Sequence, residues 1–292
     1  MIWKNKKVLV FGSEGMIGKE LVEQLKKLKA EVIRADIKEC SDDNYYSCDV
    51  TEKVDVEEII SLSKPDYVIS CFGIKGSPRM TKEKPVNFMY PMLVGDSNII
   101  RFAQKYGVKK MLYTSSIAVE HPESDFYPAW AKLTAEHLIE AMRIQYPKGT
   151  KYCIVRPANV YGKYDNFNNP NAMVVTSLIK KALKYKKIDL MTDGTEIRDF
   201  INARDVARGM IEAMEQMPNI PVNLCSGKGI TILSLCQSII NNMKGDIAIT
   251  TKPIKADCMK RVMDLNWDFK PLIEVDDGVK EVIKYVKDNK IC

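Results

Sequence analysis

The sequence predicts an α/β fold: a doubly wound parallel sheet followed by a smaller C-terminal lobe. Short apolar runs alternate with amphipathic stretches through the first half, as in 7–11 followed by 16–28. Parallel strands buried on both faces produce such runs, and helices that cover a sheet produce such stripes. A glycine-rich turn joins the first pair, and regular alternation ends after Pro157. We therefore predict one domain over 1–157 and a lobe over 158–292 that returns crossovers to the main sheet.

The elements of the first half follow from the two hydrophobic periodicities. One stripe of the first helix carries Ile17, Leu21, Leu25 and Leu28. Strands are predicted at 7–11, 31–36, 65–70, 110–114 and 152–156. Helices are predicted near 16–28, 54–63, 89–106 and 129–145. The repeated strand–helix order is typical of a sheet with helices on both faces.

Composition and charge exclude several classes of protein. The chain has 292 residues, of which 46% are hydrophobic and 28% charged, as in packed globular domains. It holds no apolar run of the ~20 residues that a membrane span needs. Residues 1–7 do not resemble a signal peptide, so we expect a cytoplasmic protein with no membrane partner. The net charge of +6 comes from scattered lysines, which favours a solvated surface over nucleic-acid binding.

Cysteine and histidine usage argues against a metal site. The eight cysteines show no Cys-x-x-Cys spacing, and there are only two histidines, His121 and His137. We expect no zinc and no disulfide framework, with most thiols acting as small core residues.

The glycine-rich turn indicates a dinucleotide site. Residues 12–18 read Gly-Ser-Glu-Gly-Met-Ile-Gly, directly between a strand and an amphipathic helix. Gly12 permits the tight turn, Gly15 lets the backbone approach a pyrophosphate, and Gly18 lets helix and strand pack closely. Met16 and Ile17 would present helix N-terminal N–H groups to the phosphates. The alternative is a plain glycine turn without a ligand.

Asp36 favours NAD over NADP as the dinucleotide. It ends the second predicted strand, eighteen residues after Gly18. A carboxylate there accepts the ribose hydroxyls of NAD and repels the 2′-phosphate of NADP. Arg34 and Lys38 lie nearby and could soften this preference, and Asp36 could also be an ordinary loop carboxylate.

Beyond these features, the chain resembles the extended short-chain dehydrogenase/reductase family of nucleotide-sugar epimerases, dehydratases and reductases, over nearly its whole length. The Asp165–Phe167 segment is similar to the GDP-fucose synthase/GDP-sugar 4-oxidoreductase branch. The other matching segments are 48–51, 95–100, 107–110, 113–116, 156–162 and 193–201. The resemblance implies a Rossmann-type fold whose smaller C-terminal lobe binds the substrate.

The resemblance also implies roles for individual residues. Ser116 matches the catalytic serine, with Ser115 as the next candidate, although both could simply cap a strand end. Lys132 matches the lysine that holds the nicotinamide ribose and assists proton transfer, although it could be a surface lysine. Further cofactor contacts are implied for Asp49, Val50, Cys71, Phe72, Gly73 and Pro157. Substrate contacts are implied for Ser115, Asn159, Lys163, Arg198 and Lys260, with Arg261 as an alternative to Lys260; some of these could instead form ordinary ion pairs.

The chain departs from the family at the catalytic tyrosine. The family places tyrosine four residues before the lysine, one helical turn away, and Pro128 occupies that position here. Tyr127 is five residues before Lys132, about 140° away on an ideal helix. Because proline favours a first turn, Tyr127 could sit at the helix cap and still act as the acid/base. Otherwise the usual proton carrier is missing.

Other departures narrow the predicted reaction. Ile117 and Ala118 replace the acidic pair of the dehydratases, and Ile117 and Met173 replace the epimerising Cys and His of GDP-fucose synthase. What remains is redox chemistry at one carbinol, C4 in the family, of a nucleotide-sugar such as a GDP- or dTDP-hexose or heptose. The alternative is a non-catalytic NAD-binding relative with a sensing or scaffolding role. By resemblance, the helices near 99–106 and 133–146 predict a homodimer.

Overall fold

The computed structural model describes residues 2–76, 78–120, 122–123, 125–169, 172–243, 245–255 and 262–291. Contacts divide the chain into two compact units: 1–157 with 207–222, and 158–206 with 223–292. The first boundary follows Pro157, and residues 207–222 group with the first unit although they come later in the chain.

The first unit is built on alternating strands and helices. Its strands are β1 Lys7–Phe11, β2 Glu31–Asp36, β3 Tyr45–Ser47, β4 Tyr67–Ser70, β5 Lys110–Thr114 and β6 Lys151–Pro157. Its helices are α1 Met16–Lys27, α2 Lys53–Ser63, α3 Pro78–Glu83, α4 Val86–Lys105 and α5 Tyr127–Gln145, with a 3-10 turn at Ile117–Val119. The predicted elements are present within a few residues of their expected ends. The short elements β3 and α3 were not predicted.

The main sheet confirms the predicted doubly wound fold. The strand order is β3-β2-β1-β4-β5-β6, followed by β10 Val222–Leu224, in which the boundary between the units falls. Strands β1 to β6 pair in parallel. The order reverses between β1 and β4, and ligands bind such sheets at the carboxyl ends of the strands beside this reversal. The core on the helix-covered faces includes Leu9, Phe11, Val68, Ile99 and Ile154.

The second unit contains two smaller sheets and its own apolar core. Its further elements are β7 Asn159–Tyr161, α6 Val174–Tyr185, β8 Lys187–Asp189, β9 Ile197–Asn202, β11 Gly229–Thr231, α8 Ile232–Asn241, β12 Ala248–Thr250 and α9 Val275–Asp288. Helix α7, Ala203–Gln216, crosses the boundary after Val206. One sheet has the order β11-β9-β7 and the other pairs β12 with β8. The core includes Tyr161, Leu178, Phe200 and Val279. None of the helices in the described ranges combines the length and the apolar composition that a membrane span requires.

Candidate active site

The carboxyl edge of the main sheet gathers predicted cofactor residues of the first unit together with Ser115, a predicted substrate contact. Gly12 follows β1, Asp36 ends β2, Cys71 follows β4, Ser115 follows β5 and Pro157 ends β6. Because neighbouring parallel strands end at the same edge, residues that are far apart in sequence line one region. The fold therefore places these candidates where a dinucleotide binds in sheets of this order.

The glycine turn brings backbone atoms too close together to admit a side chain. Gly12 has φ +72°, and a Cβ there would lie 2.9 Å from the backbone carbonyl carbon and oxygen of Cys71. At Gly18, a Cβ would overlap the carbonyl oxygen of Gly12. Gly15 is the N-cap of α1, with no side-chain hydrogen bond and no acidic residue in the first turn. The N–H groups of the first helical turn thus meet no side-chain cap, which fits an anionic ligand at this end of α1.

Asp36 is fixed beside the glycine turn by backbone hydrogen bonds. The Glu14 N–H donates to Asp36 Oδ2 at 2.9 Å, and the Lys38 N–H donates to Oδ1 at 3.3 Å. Each carboxylate oxygen keeps capacity for a further donor. Arg34 lies 3.3 Å from a Glu14 carboxylate oxygen and 2.8 Å from an Asp42 carboxylate oxygen. Arg34, the only arginine in residues 31–44, is therefore already paired with two carboxylates.

Helix α4 contacts residues 49–51 of the predicted cofactor region. Asn98 Nδ2 donates to the Val50 carbonyl at 3.0 Å. A Cβ at Gly95 would lie 2.7 Å from Val50 Cγ2 and 2.8 Å from Phe72 Cε1, so only glycine admits this packing. Asp49 Oδ1 accepts from the Thr51 N–H at 2.9 Å and orders the turn after β3. Gly73 has open space at its Cβ position.

Buried hydroxyls at the same edge support a polar ligand. Ser13, Ser70 and Ser115 are at most 6% exposed, and their Oγ atoms have no hydrogen-bond partner. They follow β1, end β4 and follow β5. Buried polar groups are normally paired. Together with the open helix start, these orphaned atoms fit the phosphates, riboses and amide of a dinucleotide.

Ser116 begins the 3-10 turn that follows β5. Its Oγ accepts a hydrogen bond from the Ala118 N–H at 3.2 Å, which is a capping contact. A hydroxyl that accepts one bond still has its own proton to donate. Ser116 is therefore fixed by its cap and remains able to donate to a reacting oxygen. The catalytic roles of Ser116 and Ser115 stay predictions, because this contact tests neither.

Lys132 is buried in an ion pair that the sequence analysis missed. Its Nζ donates to the Phe72 carbonyl at 3.0 Å and lies 3.2 Å from Asp96 Oδ2, with Lys132 7% and Asp96 1% exposed. The Tyr113 hydroxyl donates to the same Asp96 oxygen at 2.7 Å. Burial raises the pKa of the Asp96 carboxyl, and the Lys132 ammonium and the Tyr113 hydroxyl oppose that rise. Burial also raises the pKa of Tyr113 well above its ordinary value.

A signal for Asp96 was nevertheless present in the sequence. Met92, Ile99 and Ala103 share its face of α4 at helical spacing and are buried. A carboxylate on that apolar stripe indicates a buried partner. One turn after Lys132, Glu136 forms a second pair, accepting from Arg156 Nε at 2.9 Å.

Tyr127 is the first residue of α5, and the cap position belongs to Phe126. It thus lies within the helix rather than at the cap, because Pro128 is tolerated in a first turn. Tyr127 and Trp130, one turn apart, are both 38% exposed, whereas Lys132 is buried. On a regular helix Tyr127 points about 140° away from Lys132. This geometry favours the alternative in which the proton does not travel through Tyr127.

The second unit holds the other predicted substrate residues. Asn159 Nδ2 donates to the Asp199 carbonyl at 2.8 Å, between β7 and β9. Arg198 precedes Asp199 in β9, and its Nη1 donates to the Ile197 carbonyl at 3.0 Å. Lys163 Nζ lies 4.5 Å from the centre of the Tyr164 ring. Lys260 and Arg261 lie outside the described residues.

Asp199 orders a loop in the second unit that sequence reasoning did not single out. Its Oδ1 accepts from the Ser226 N–H at 2.8 Å, and its Oδ2 accepts from the Gly227 N–H at 2.9 Å. Burial raises the pKa of Asp199, and these donors oppose the rise. The Arg-Asp-Phe string at 198–200 thus supplies a loop anchor as well as Arg198.

Comparisons with known proteins identify relatives along most of the chain. The model of the NAD dependent epimerase/dehydratase family matches residues 8–225. The chain is 27% identical to a GDP-L-fucose synthase of Sinorhizobium fredii, over 92% of each chain. It is also 27% identical to a putative UDP-glucose 4-epimerase of Methanocaldococcus jannaschii, over 97% of this chain and 99% of that one.

Solved structures share the fold at lower identity. A UDP-glucose 4-epimerase from Thermotoga maritima, with UDP-glucose, has a TM-score of 0.85 at 24% identity, covering 97% of this chain and 99% of its own. A GDP-mannoheptose C4 reductase from Campylobacter jejuni, with NADP bound, has a TM-score of 0.81 at 20% identity, covering 97% and 98%. These likenesses support the Rossmann-type fold.

Proposed function

The chain belongs to the NAD dependent epimerase/dehydratase family, and from this premise we propose an enzyme that carries out nicotinamide-dependent redox chemistry on a nucleotide-sugar, at C4. The observation that carries the proposal is the carboxyl edge of the main sheet. This edge of the first unit carries an uncapped, glycine-lined helix start together with Asp36, Ser116 and the buried Lys132. The reaction is an oxidation, a reduction or a C4 epimerisation.

In the proposed reaction the cofactor supplies the hydride chemistry, and the residues of the chain bind and position the reacting groups. A bound nicotinamide supplies the hydride acceptor or donor. Ser116 keeps its hydroxyl proton for the oxygen at the reacting carbon, while its own Oγ is held by Ala118. Lys132 uses two donors on Phe72 and Asp96 and keeps a third N–H for the nicotinamide ribose. In the second unit, Asn159 and Arg198 are proposed to hold the diphosphate, with Lys163 near the sugar.

A substrate panel tests the proposal. The purified protein is incubated with GDP-, UDP- and dTDP-linked sugars and their 4-keto forms, with NAD(H) or NADP(H). Absorbance of the reduced nicotinamide reports net redox, and NMR of the sugar reports epimerisation, which leaves the cofactor unchanged. Turnover of one class is expected; no turnover of any sugar and no dinucleotide binding would refute the proposal.

The non-catalytic alternative has no support in the comparisons. The relatives named above are a synthase and an epimerase. The retained Lys132 and Ser116 also favour an enzyme, since a scaffold would not need a buried ammonium at this edge.

We propose NAD as the preferred cofactor because of the charges around Asp36. Arg34 is already paired with Glu14 and Asp42, so it is not available to offset the repulsion between Asp36 and a 2′-phosphate. The NADP-bound structure of the Campylobacter reductase shows that this fold also accepts NADP. The choice therefore depends on these local carboxylates.

Replacing Asp36 by serine is expected to weaken NAD binding roughly 10- to 100-fold, as loss of charged hydrogen bonds costs about 1.5–3 kcal/mol. NADP binding should weaken less or improve, because a repelling charge is removed. Titration of NADH and NADPH by fluorescence measures both constants. Asp43→Ser, at an exposed carboxylate in the following loop, is the control. An unchanged ratio of the two constants in Asp36→Ser would contradict this assignment.

Replacing Tyr127 by phenylalanine is expected to lower kcat by less than about threefold, well below the roughly 10²–10⁴-fold contribution of a general acid/base. The reason is its exposed position on another side of α5 from Lys132. Steady-state kinetics on the substrate found by the panel measures the change. Trp130→Phe, on the same exposed face, is the matched control. A hundredfold loss limited to Tyr127→Phe would instead make Tyr127 the proton carrier.

We propose that the protein is a homodimer through α4 and α5. These helices expose large apolar side chains, among them Tyr90 at 63% and Ile144 at 82%. Light scattering after size exclusion should give twice the 33.2 kDa of one chain. The double variant Tyr90→Glu/Ile144→Glu should give a monomer, and a monomeric wild type would refute the proposal.

A further inference from the structure

The Asp96–Lys132 pair is unusual in its burial and in its position. Asp96 lies on the apolar face of α4 and Lys132 on α5, and their side chains are 0% and 8% exposed. Lys132 Nζ also lies 4.8 Å from the centre of the Tyr113 ring. Asp96 Oδ2 accepts from both Lys132 and Tyr113, while Oδ1 is buried with no partner. The Asp96 carboxylate thus accepts both of these hydrogen bonds through a single oxygen, Oδ2.

Stability alone does not account for this pair. Removing two charges from water costs several kcal/mol per ion, and a pair of apolar residues is often as stable. The half-satisfied carboxylate increases that cost. Lys132 is itself a candidate catalytic residue. The pair is therefore better explained by the position that Asp96 gives to the Lys132 ammonium.

The contacts fix where that ammonium lies. The Phe72 carbonyl follows β4 and Asp96 lies on α4, and both take donors from Lys132. The other titratable groups that face the pair are Tyr113 on β5, Cys71 after β4, and Glu136 on α5. Burial raises the pKa of Cys71 to about 12, so this thiol adds no charge near neutral pH. Asp96 is the charged partner in direct contact with Lys132.

We infer that Asp96 is a positioning residue for Lys132. Its Oδ2 and the Phe72 carbonyl hold two N–H groups of the ammonium, so that the third is presented at the carboxyl edge where the nicotinamide ribose binds. Pro128 occupies the position one turn before Lys132 on α5, and Asp96 contacts the ammonium from α4. The inference rests on the proposed function, because it assigns Asp96 a role in the same cofactor site.

A double-mutant cycle tests whether Asp96 acts through Lys132. The variants are Asp96→Asn, Lys132→Met and the combination, each with NADH affinity by fluorescence, kcat and KM on the panel substrate, and the melting temperature. Asp96→Asn is expected to weaken NADH binding about 10-fold and to lower kcat about 10- to 100-fold, with KM for the sugar nearly unchanged. The double variant is expected to match Lys132→Met, because no positioned ammonium remains.

Tyr113→Phe is the matched control, since it removes the other hydrogen bond to Asp96 Oδ2 and leaves Lys132 in place. It should change NADH affinity and kcat by less than about threefold. If Asp96→Asn does not fold, Asp96→Glu replaces it; the longer carboxylate displaces the ammonium while keeping the charge, and the same loss is expected.

The outcomes separate this inference from the proposed function. If the wild type binds no dinucleotide, the proposed function fails. Wild-type binding together with an Asp96 variant within twofold of wild type in NADH affinity and kcat overturns only the positioning role. Losses from Asp96→Asn that persist undiminished in the Lys132→Met background also overturn it, because they would be structural.

Discussion

Lys132→Met is expected to lower turnover about 10²- to 10⁴-fold, the range of acid/base assistance. The variant removes the ammonium that donates to the Phe72 carbonyl and to Asp96 at the carboxyl edge. It also leaves Asp96 without its ionic partner in a buried position, which costs about 3–5 kcal/mol of stability. Activity must therefore be measured well below the melting temperature of the variant. Single-turnover hydride transfer and NADH affinity then separate the loss of chemistry from the loss of binding.

Lys110→Met provides the matched control for that experiment. Lys110 is also a partly buried lysine of the first unit, and its Nζ donates to the Met214 carbonyl at 2.9 Å. It begins β5, at the end of the sheet opposite to the predicted cofactor edge. Turnover within about twofold of wild type is expected. A folded Lys132→Met variant that turned over at a third of the wild-type rate or faster would rule out the assigned role.

Gly18→Ala is expected to abolish dinucleotide binding and to destabilise the protein. The added Cβ would overlap the Gly12 carbonyl oxygen and lie 2.9 Å from two backbone atoms of Ser13. These are backbone atoms, which cannot turn aside as a flexible side chain could, so β1 and α1 must separate. Overpacking of this kind costs about 1–3 kcal/mol, and more against backbone. The melting temperature should fall by about 2–4 °C for each kcal/mol.

Gly73→Ala controls for the cost of the methyl group itself. No atom lies within 4 Å of a Cβ at Gly73, so its melting temperature should match the wild type within about 1 °C. Calorimetry gives the melting temperature of both variants; NADH fluorescence is compared only between Gly18→Ala and the wild type, since Gly73 is itself a candidate cofactor contact. Were Gly18→Ala to bind NADH as tightly as the wild type, the close packing of α1 on β1 would not be what shapes the phosphate site.

The fold could be predicted closely because its signals are local. Apolar runs such as 7–11 and the stripe through Leu21 and Leu25 depend only on neighbours in the chain. Strand β3 was missed because Tyr45–Ser47 has only three residues and is half-buried at the edge of the sheet. No local periodicity distinguishes so short a strand from a loop.

The candidate site could be predicted in part. Gly12, Gly15, Gly18 and Asp36 lie at fixed spacings after β1 and β2, so a pattern in the sequence was enough to propose them. Asp96 was missed because its partner lies 36 residues away on another helix. Two positions were open for Tyr127, the cap of α5 and the helix itself, and the structure makes it the first helical residue. Regular helix geometry then sets it about 140° from Lys132.

The sequence by itself determined the class of the fold, the family and the place of the candidate phosphate-binding turn. Each depends on short-range periodicity or on residue types at fixed spacing, which chain geometry alone translates into structure. Only the tertiary structure decided that Lys132 is buried against Asp96 and the Phe72 carbonyl, and that Tyr127 shares an exposed face with Trp130. Those facts depend on how α4 and α5 pack on each other and on the sheet, and the free energy of that packing is distributed over many distant residues.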